Sequence, residues 1–270
     1  SVDKDSKITV VSEEDHPVYC RPLISYYLEK KTDPERMNYR SADFYKKMGC
    51  DVFYGKKSIR IDADSKKVVL DDGAELSYTE VCVATGSAPF VPSFEGLDTV
   101  EKKFSFMTLD DTFALEKAID KDSNVLIVGA GLIGLKCAEG LHERVKSITV
   151  CDLADRVLSS ILDTDCAAIV QRHLEANGIR FLLGDTAVRF EKNLAQMKSG
   201  KTIEFDTLVL AVGVRANTTL VKDIGGEVNR GILVNDRMET SLENIYAAGD
   251  CTEGYDISCR QKRVLALLPN

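Results

Sequence analysis

The chain has 270 residues, room for about two domains with full cores, which excludes a peptide or a disulfide-stapled mini-protein. Apolar residues make up 44% and charged residues 29%, ordinary values for globular proteins, so neither disorder nor a membrane protein is indicated. Lys and Arg total 35 against 43 Asp and Glu, a net charge of -8 without long basic runs, and nucleic acid is excluded as the expected partner.

Residues Ser1 to Lys7 are polar, and no apolar stretch approaches the roughly 18 residues of a spanning helix, so no membrane association and a cytoplasmic location are expected. Ile8 with Val10-Val11 predicts a short buried strand, and Pro22 to Lys30 a helix with proline in its first turn. Between Cys50 and Val81 short β-like pieces (Val52-Phe53, Ser58 to Ile61, Lys67 to Leu70) predict a meander or hairpin insertion. Glu80 to Ala84 reads as a buried strand ended by Thr85-Gly86. A helical pattern runs from Leu109 to Ile119. Asn124 to Val128 is a continuous apolar strand of the kind found in parallel sheets covered on both faces. Gly131 to Glu143 then predicts a helix, Ser147 to Cys151 a strand, and Thr164 to Asn177 a helix closed by Gly178 in a left-handed cap. Ile179 to Leu183 is the next strand, Ala187 to Phe205 a second meander, and Thr207 to Ala211 another buried strand. The two halves repeat one α/β plan, a duplicated nucleotide-binding unit: two Rossmann-like domains, each a parallel sheet with helices and a small meander.

The strongest local signal is Gly129-Ala130-Gly131-Leu132-Ile133-Gly134, a G-x-G-x-x-G directly between a predicted strand and a predicted helix. Gly129 permits the tight turn, Gly131 lets the backbone approach a pyrophosphate at the positive helix start, and Gly134 allows close packing of helix on strand. Asp152 ends the next strand, near the spacing of about 20 expected of a ribose-binding carboxylate. It would accept from a 2'-hydroxyl and repel a 2'-phosphate, which favours NAD over NADP. Arg156 is close enough to weaken that preference, or is an ordinary exposed cation. Two further buried strands end in Val83-Ala84-Thr85-Gly86 and Ala211-Val212-Gly213, at the carboxyl edge where open α/β sheets bind ligands. Late in the chain, Ala247-Ala248-Gly249-Asp250 offers small residues against which a cofactor could lie.

Together, and in this order, these motifs resemble the two-dinucleotide-binding-domain flavoproteins, the pyridine nucleotide-disulfide oxidoreductase family, over almost the whole chain. The resemblance implies FAD in residues 1–104 and in a return segment 240–270, with NAD(H) in an inserted domain 105–239. It implies that Glu13 or Glu14 holds the FAD adenosine ribose and that Arg21 and Pro22 lie beside the flavin or its phosphates. Ala84, Thr85, Gly86, Gly249 and Asp250 would also touch FAD, and Gly129, Gly131, Ile133, Gly134, Asp152, Val212 and Gly213 would hold NAD. The alternative for Glu13-Glu14-Asp15 is a solvated acidic loop. By the same resemblance the first glycine motif would precede Ser1, a C-terminal interface domain that usually builds a homodimer would follow Asn270, and the chain is read as truncated at both ends.

Eight cysteines are scattered, and no close pair such as CxxC or CxxxxC is available. Val18 to Ser25 is similar to members that pass electrons to an external acceptor, such as rubredoxin reductases and the flavin part of assimilatory nitrite reductases. Cys20 stands beside Arg21 at a helix start, where a thiolate would gain, and is a candidate redox residue. Lys136 replaces a carboxylate common in the family's nicotinamide-domain helix; it is either a cation that stabilises anionic reduced flavin or a surface lysine. His16, His142 and His173 share no spacing, and no metal is expected. The expected activity is transfer of hydride from NADH to FAD, and of electrons to a small redox protein or a small molecule. The alternatives are an NADH oxidase or CoA-disulfide reductase using Cys20, and an NAD-binding module without flavin activity.

Overall fold

The computed structural model describes residues 5–264. The chain divides into two compact units, one built from residues up to Tyr19, Asn38–Ala88 and Arg215 onward, the other from Cys20–Met37 and Pro89–Val214.

The second unit holds a five-stranded, all-parallel sheet in the order Ile179–Leu183, Ser147–Asp152, Asn124–Val128, Thr207–Leu210, Lys103–Phe104. The central strands are buried nearly throughout, as their unbroken apolar runs require when both faces are covered. Connections of this kind need crossovers, and Leu132–Leu141 and Thr164–Ala176 supply them. Helix Leu109–Ala118 starts with a capping box, the Thr108 hydroxyl taking the Asp111 N–H and the Asp111 carboxylate taking the Thr108 N–H. An antiparallel meander, Ala187–Glu191, Leu194–Met197 and Thr202–Glu204, closes the core around Phe190, Leu126, Leu208 and Met197.

The first unit contains three parallel pairs, Thr9–Val11 with Asp51–Phe53, Val81–Val83 with Ile245–Ala247, and Ile232–Leu233 with the start of Thr252–Asp256. It also carries the antiparallel meander Ser58–Asp62, Lys67–Leu70, Glu75–Ser77. Its core gathers Ile61, Leu70, Val83, Val221, Ile232, Ile245 and Ala247.

Two expectations are corrected. Val52-Phe53 does not belong to the meander but lies parallel to Thr9–Val11. Residues 12–50 are long enough to form the crossover that parallel pairing needs, and a short apolar pair does not reveal its partner. The single helix expected from Pro22 to Lys30 is a 3-10 turn, Arg21–Leu23, followed by Ile24–Leu28. Lys30 adopts φ 61°, and the N–H groups of Lys30 and Lys31 return to the carbonyls of Tyr27 and Tyr26, which ends the helix without a glycine signal.

Candidate functional site

In the second unit the carboxyl ends of three neighbouring strands converge on the glycine-rich turn. Gly129 takes φ 117°, and a Cβ there would stand 2.2 Å from the Ala211 carbonyl oxygen, so both the conformation and the approach demand glycine. Its N–H donates to the Cys151 carbonyl at 2.8 Å. Ala130 is held from both sides: its N–H donates to Asp152 Oδ2 at 2.6 Å, and its carbonyl accepts from Leu158 N–H at 2.9 Å. Gly131 is the cap of helix Leu132–Leu141, with extended backbone, no side-chain cap, and nothing within 4 Å of where a Cβ would be. The first helical N–H groups therefore face an open space that no side chain of the helix end fills, a cradle suited to a phosphate. Ile133 lies half-buried in the first turn of that helix. Gly134 abuts the turn, its absent Cβ falling 2.0 Å from the Gly129 oxygen.

Asp152 is half-buried at its strand's end, and its Oδ1 accepts from Ala154 N–H at 2.8 Å. Each carboxylate oxygen thus takes one backbone donor and keeps a further acceptor direction for a ribose hydroxyl. Val212 packs against the core beside the turn, while Gly213 is exposed at φ 125° with its carbonyl taking Phe90 N–H at 2.9 Å. Arg156 lies on the loop after Asp152, bonded to Asp155. These residues fit a dinucleotide.

The segment carrying Cys20, Arg21 and Pro22 also belongs to the second unit. Cys20 is half-buried; its N–H donates to the Met37 carbonyl at 2.8 Å and its own carbonyl takes Leu23 N–H at 2.9 Å. Arg21 and Pro22 are exposed. Lys136 pairs with Glu139, and its ammonium stands 5.0 Å from the centroid of the Tyr26 ring. Two features here escaped the sequence reading. One is Gly140, whose absent Cβ would meet the Leu28 Cβ at 2.9 Å and the Ser25 oxygen at 3.0 Å; an interior helical glycine was its signal. The other is a cluster around Glu116, which accepts from the Tyr27 hydroxyl at 2.6 Å, is bonded by Lys30, and lies 3.4 Å from Arg144. Burial pushes the Glu116 carboxyl up, but the bonds from Lys30 and Tyr27 and the charges of Lys30 and Arg144 outweigh it and hold the group below its ordinary range. No sequence spacing foretold this cluster, because its members, Tyr27, Lys30, Glu116 and Arg144, come from three stretches far apart in the chain.

In the first unit, the parallel pairing of Val81–Val83 with Ile245–Ala247 sends the loops Ala84-Thr85-Gly86 and Ala248-Gly249-Asp250 out side by side. Ala84 and Thr85 are exposed. Asp250 is half-buried in a 3-10 turn. Gly86 (φ 61°) and Gly249 (φ 78°) both face open space. Thr85 Oγ1 donates to the Asn217 carbonyl at 2.9 Å, Asn217 Nδ2 donates to the Thr85 carbonyl at 2.8 Å, and Asn217 N–H reaches the Gly86 oxygen at 2.9 Å. Asn217, which no sequence motif singled out, thus anchors the Thr85-Gly86 loop. Glu13 and Glu14 follow strand Thr9–Val11; Glu13 pairs with Lys57 at 2.8 Å and Glu14 accepts from the Tyr19 hydroxyl at 2.6 Å. Glycines facing open space beside a carboxylate fit a flavin dinucleotide that lies against the backbone.

Burial pushes the Cys151 thiol up to about 12 and the Cys137 thiol up as well. Among the described residues, no group of three His, Cys, Asp or Glu side chains is placed to hold a metal ion, and no helix is long and apolar enough to cross a membrane.

The family profile described as pyridine nucleotide-disulphide oxidoreductase matches residues 2–269. The chain is 34% identical over 251 residues to the assimilatory nitrate reductase electron transfer subunit of Bacillus subtilis, covering 92% of this chain and 32% of that protein. It is 35% identical over 271 residues to the NADH oxidase of Methanocaldococcus jannaschii, covering 96% of this chain and 60% of that one. Among solved structures, the covalent putidaredoxin reductase-putidaredoxin complex superposes with a TM-score of 0.91 over 98% of this chain and 66% of that one, at 24% identity. The chain therefore spans about a third of the first of these relatives and 60% of the second.

Proposed function

The chain belongs to the pyridine nucleotide-disulphide oxidoreductase family, and we propose that it is the dinucleotide-binding part of an FAD-dependent oxidoreductase that takes hydride from NADH and passes electrons to a small redox protein or a small molecule. The observation that most supports this reading is the turn at Gly129, Gly131 and Gly134, open at the helix start and tied by Ala130 to Asp152. In this reading residues 105–239 hold NAD(H). The helix start and Gly131 take the pyrophosphate, Asp152 the adenosine ribose, and Ile133, Val212 and Gly213 line the path of the nucleotide. Residues 1–104 and 240–270 hold FAD: Glu13 or Glu14 at its ribose, Ala84, Thr85 and Gly86 along the cofactor, Gly249 and Asp250 at its ribityl or pyrophosphate region, and Arg21 and Pro22 beside the flavin. Bound together, the two cofactors supply the redox chemistry, hydride from one and electron storage on the other. The chain's own work is to orient them, to exclude water and, through the Lys136 ammonium, to favour negative charge nearby.

The Bacillus relative's name as an electron transfer subunit supports a protein acceptor, of the rubredoxin or ferredoxin kind. The name of the Methanocaldococcus relative supports a second reading, an NADH oxidase or CoA-disulfide reductase in which Cys20 is redox-active. Cys20→Ser separates them: unchanged turnover with a one-electron acceptor favours the first, and loss of disulfide reduction with retained flavin reduction favours the second. A cytoplasmic location and a homodimeric longer parent complete the proposal, checked by fractionation and by light scattering. The deciding experiment is the visible spectrum of the purified chain with FAD, before and after NADH without oxygen. A flavin band that bleaches supports the reading. NADH binding without any flavin band supports an NAD-binding module instead.

A further inference from the structure

We propose that Asp155 is a selectivity residue for the nicotinamide dinucleotide, because it stows Arg156 against its own loop and so withholds the cation that a 2'-phosphate would need. The inference rests on the reading of Gly129–Gly134 and Asp152 as the NADH site.

The loop from Leu153 to Leu162 is docked on the glycine-rich turn through Leu158 N–H and the Ala130 carbonyl, and begins directly at Asp152. It therefore walls the place where the adenosine ribose would lie. Arg156 is the only cation between Asp152 and Thr164. All three guanidinium nitrogens are turned into the loop: Nη1 to Asp155 Oδ1 at 2.9 Å, Nη2 to the Ser159 carbonyl at 3.3 Å, and Nε to the Leu162 carbonyl at 3.4 Å. Arginine recognises a phosphate as a fork of two parallel N–H donors, and here three of its five donors, one on each nitrogen, are directed at the loop instead. The charge of Arg156 is also felt at Asp163, where it is the last and smallest of the influences that lower the carboxyl; the Cys166 N–H is the first.

The lengths show which contact sets the direction of the guanidinium. The two carbonyl contacts are near the outer limit of hydrogen bonding and contribute little, whereas the Asp155 contact is short and ionic. Yet the Asp155 side chain is 82% exposed, so the pair is weak in absolute terms and biases the guanidinium by a few-fold at most. A weak latch suits selectivity: removing it costs the fold almost nothing, frees Arg156 to turn outward, and also removes a carboxylate that would repel a 2'-phosphate.

The test is a double-mutant cycle on the full chain, titrating NADH and NADPH by calorimetry, with melting curves to confirm folding. Asp155→Ala is expected to raise the NADPH-to-NADH affinity ratio about two- to fivefold, the most that releasing so exposed an ion pair supplies. Arg156→Ala alone is expected to leave the ratio within about twofold, and in the Asp155→Ala background to remove most of the gain, leaving only the part due to the lost Asp155 charge. The cycle is repeated in Asp152→Asn, which removes the direct repulsion and keeps weak NADPH binding measurable. A wild-type chain that binds NADH, with a ratio that Asp155→Ala leaves unmoved or moves equally without Arg156, overturns the latch while the site reading stands. A wild-type chain that prefers NADPH also overturns it. Absence of NADH binding in the wild type overturns both.

Discussion

Two glycines three residues apart in one motif are predicted to fail in opposite ways when changed to alanine. At Gly134 the added Cβ would lie 2.0 Å from the Gly129 oxygen and 3.1 Å from its carbon, backbone atoms that cannot swing away. The helix must withdraw by about 1 Å to restore contact, and forced overpacking of this kind costs about 3 kcal/mol at the upper end of its usual range. Alanine returns about 1 kcal/mol of helix propensity, leaving a loss of about 2 kcal/mol. For a chain of this size that lowers Tm by about 4–8 °C. At Gly131 the backbone is extended (φ -79°, ψ -176°), which any residue adopts, and the Cβ meets nothing within 4 Å. Alanine there loses about 0.5–1 kcal/mol as a cap and regains a similar amount from the unfolded chain, so Tm stays within about 2 °C. Its methyl group, however, enters the space proposed for the pyrophosphate, and NADH affinity is expected to fall at least about tenfold. Thermal melts and calorimetric NADH titration of both variants read the two effects separately. A Gly131→Ala chain that binds NADH like wild type would refute the placement of the pyrophosphate, and an unchanged melt for Gly134→Ala would refute the packing argument.

The alkaline limb of stability carries a second test. Burial first, and then the bond to Glu116, push the Tyr27 hydroxyl up to about 12 from 10.0. Its neutral form is thus favoured in the fold, and the stability this provides is complete below pH 10 and drains as pH rises toward 12. Urea midpoints are expected to fall more steeply over that window for wild type than for Tyr27→Phe; parallel profiles would reject the assignment. Asn217→Ala removes the Nδ2 bond to the Thr85 carbonyl and is expected to cost about 1 kcal/mol, or about 2–4 °C in Tm. It should also weaken FAD binding in a fluorescence titration, and an FAD affinity equal to wild type would separate this loop from the cofactor. Thiol labelling of the native chain is expected to modify at most the five cysteines that are not buried, sparing Cys137, Cys151 and Cys251 until denaturant is added.

The parts of the fold that were legible are those fixed by local chemistry. The continuous apolar runs at Asn124–Val128 and Thr207–Leu210 announced parallel strands covered on both faces, and the structure buries them. Gly178 was legible as a cap because its φ of 83° is one that glycine adopts without strain. Asp51–Phe53 was not, since three residues carry no record of a partner some forty positions earlier. The short helices Pro34–Met37 and Phe44–Lys47 span about one turn each, too short for a periodic signal. Of the candidate site, the glycine turn and Asp152 were legible because their spacing is imposed by the strand-turn-helix geometry. The direction of Arg156 was not, because it depends on the neighbouring Asp155 and on two carbonyls of the folded loop.

Helix Leu132–Leu141 links the candidate residues of the second unit. Its first turn presses Gly134 onto the glycine-rich turn, and six residues later Gly140 receives Leu28 and Ser25. Between them Lys136 reaches the Tyr26 ring. Two close backbone approaches on one helix are possible only where glycine stands, and each fixes the helix against a different element of the same unit. The segment that carries Cys20, Arg21 and Pro22 is consequently referenced to the Gly129–Gly134 turn through about two turns of rigid helix, and the Glu116 cluster pins its far end. A substitution at Gly140 is therefore expected to shift the environment of Cys20 while leaving the turn and Asp152 in place. Gly140→Ala should change the labelling rate of Cys20 relative to Cys166 with NADH affinity retained. Coupled loss of NADH affinity would show that the helix moves as a whole rather than bending between its two glycine contacts.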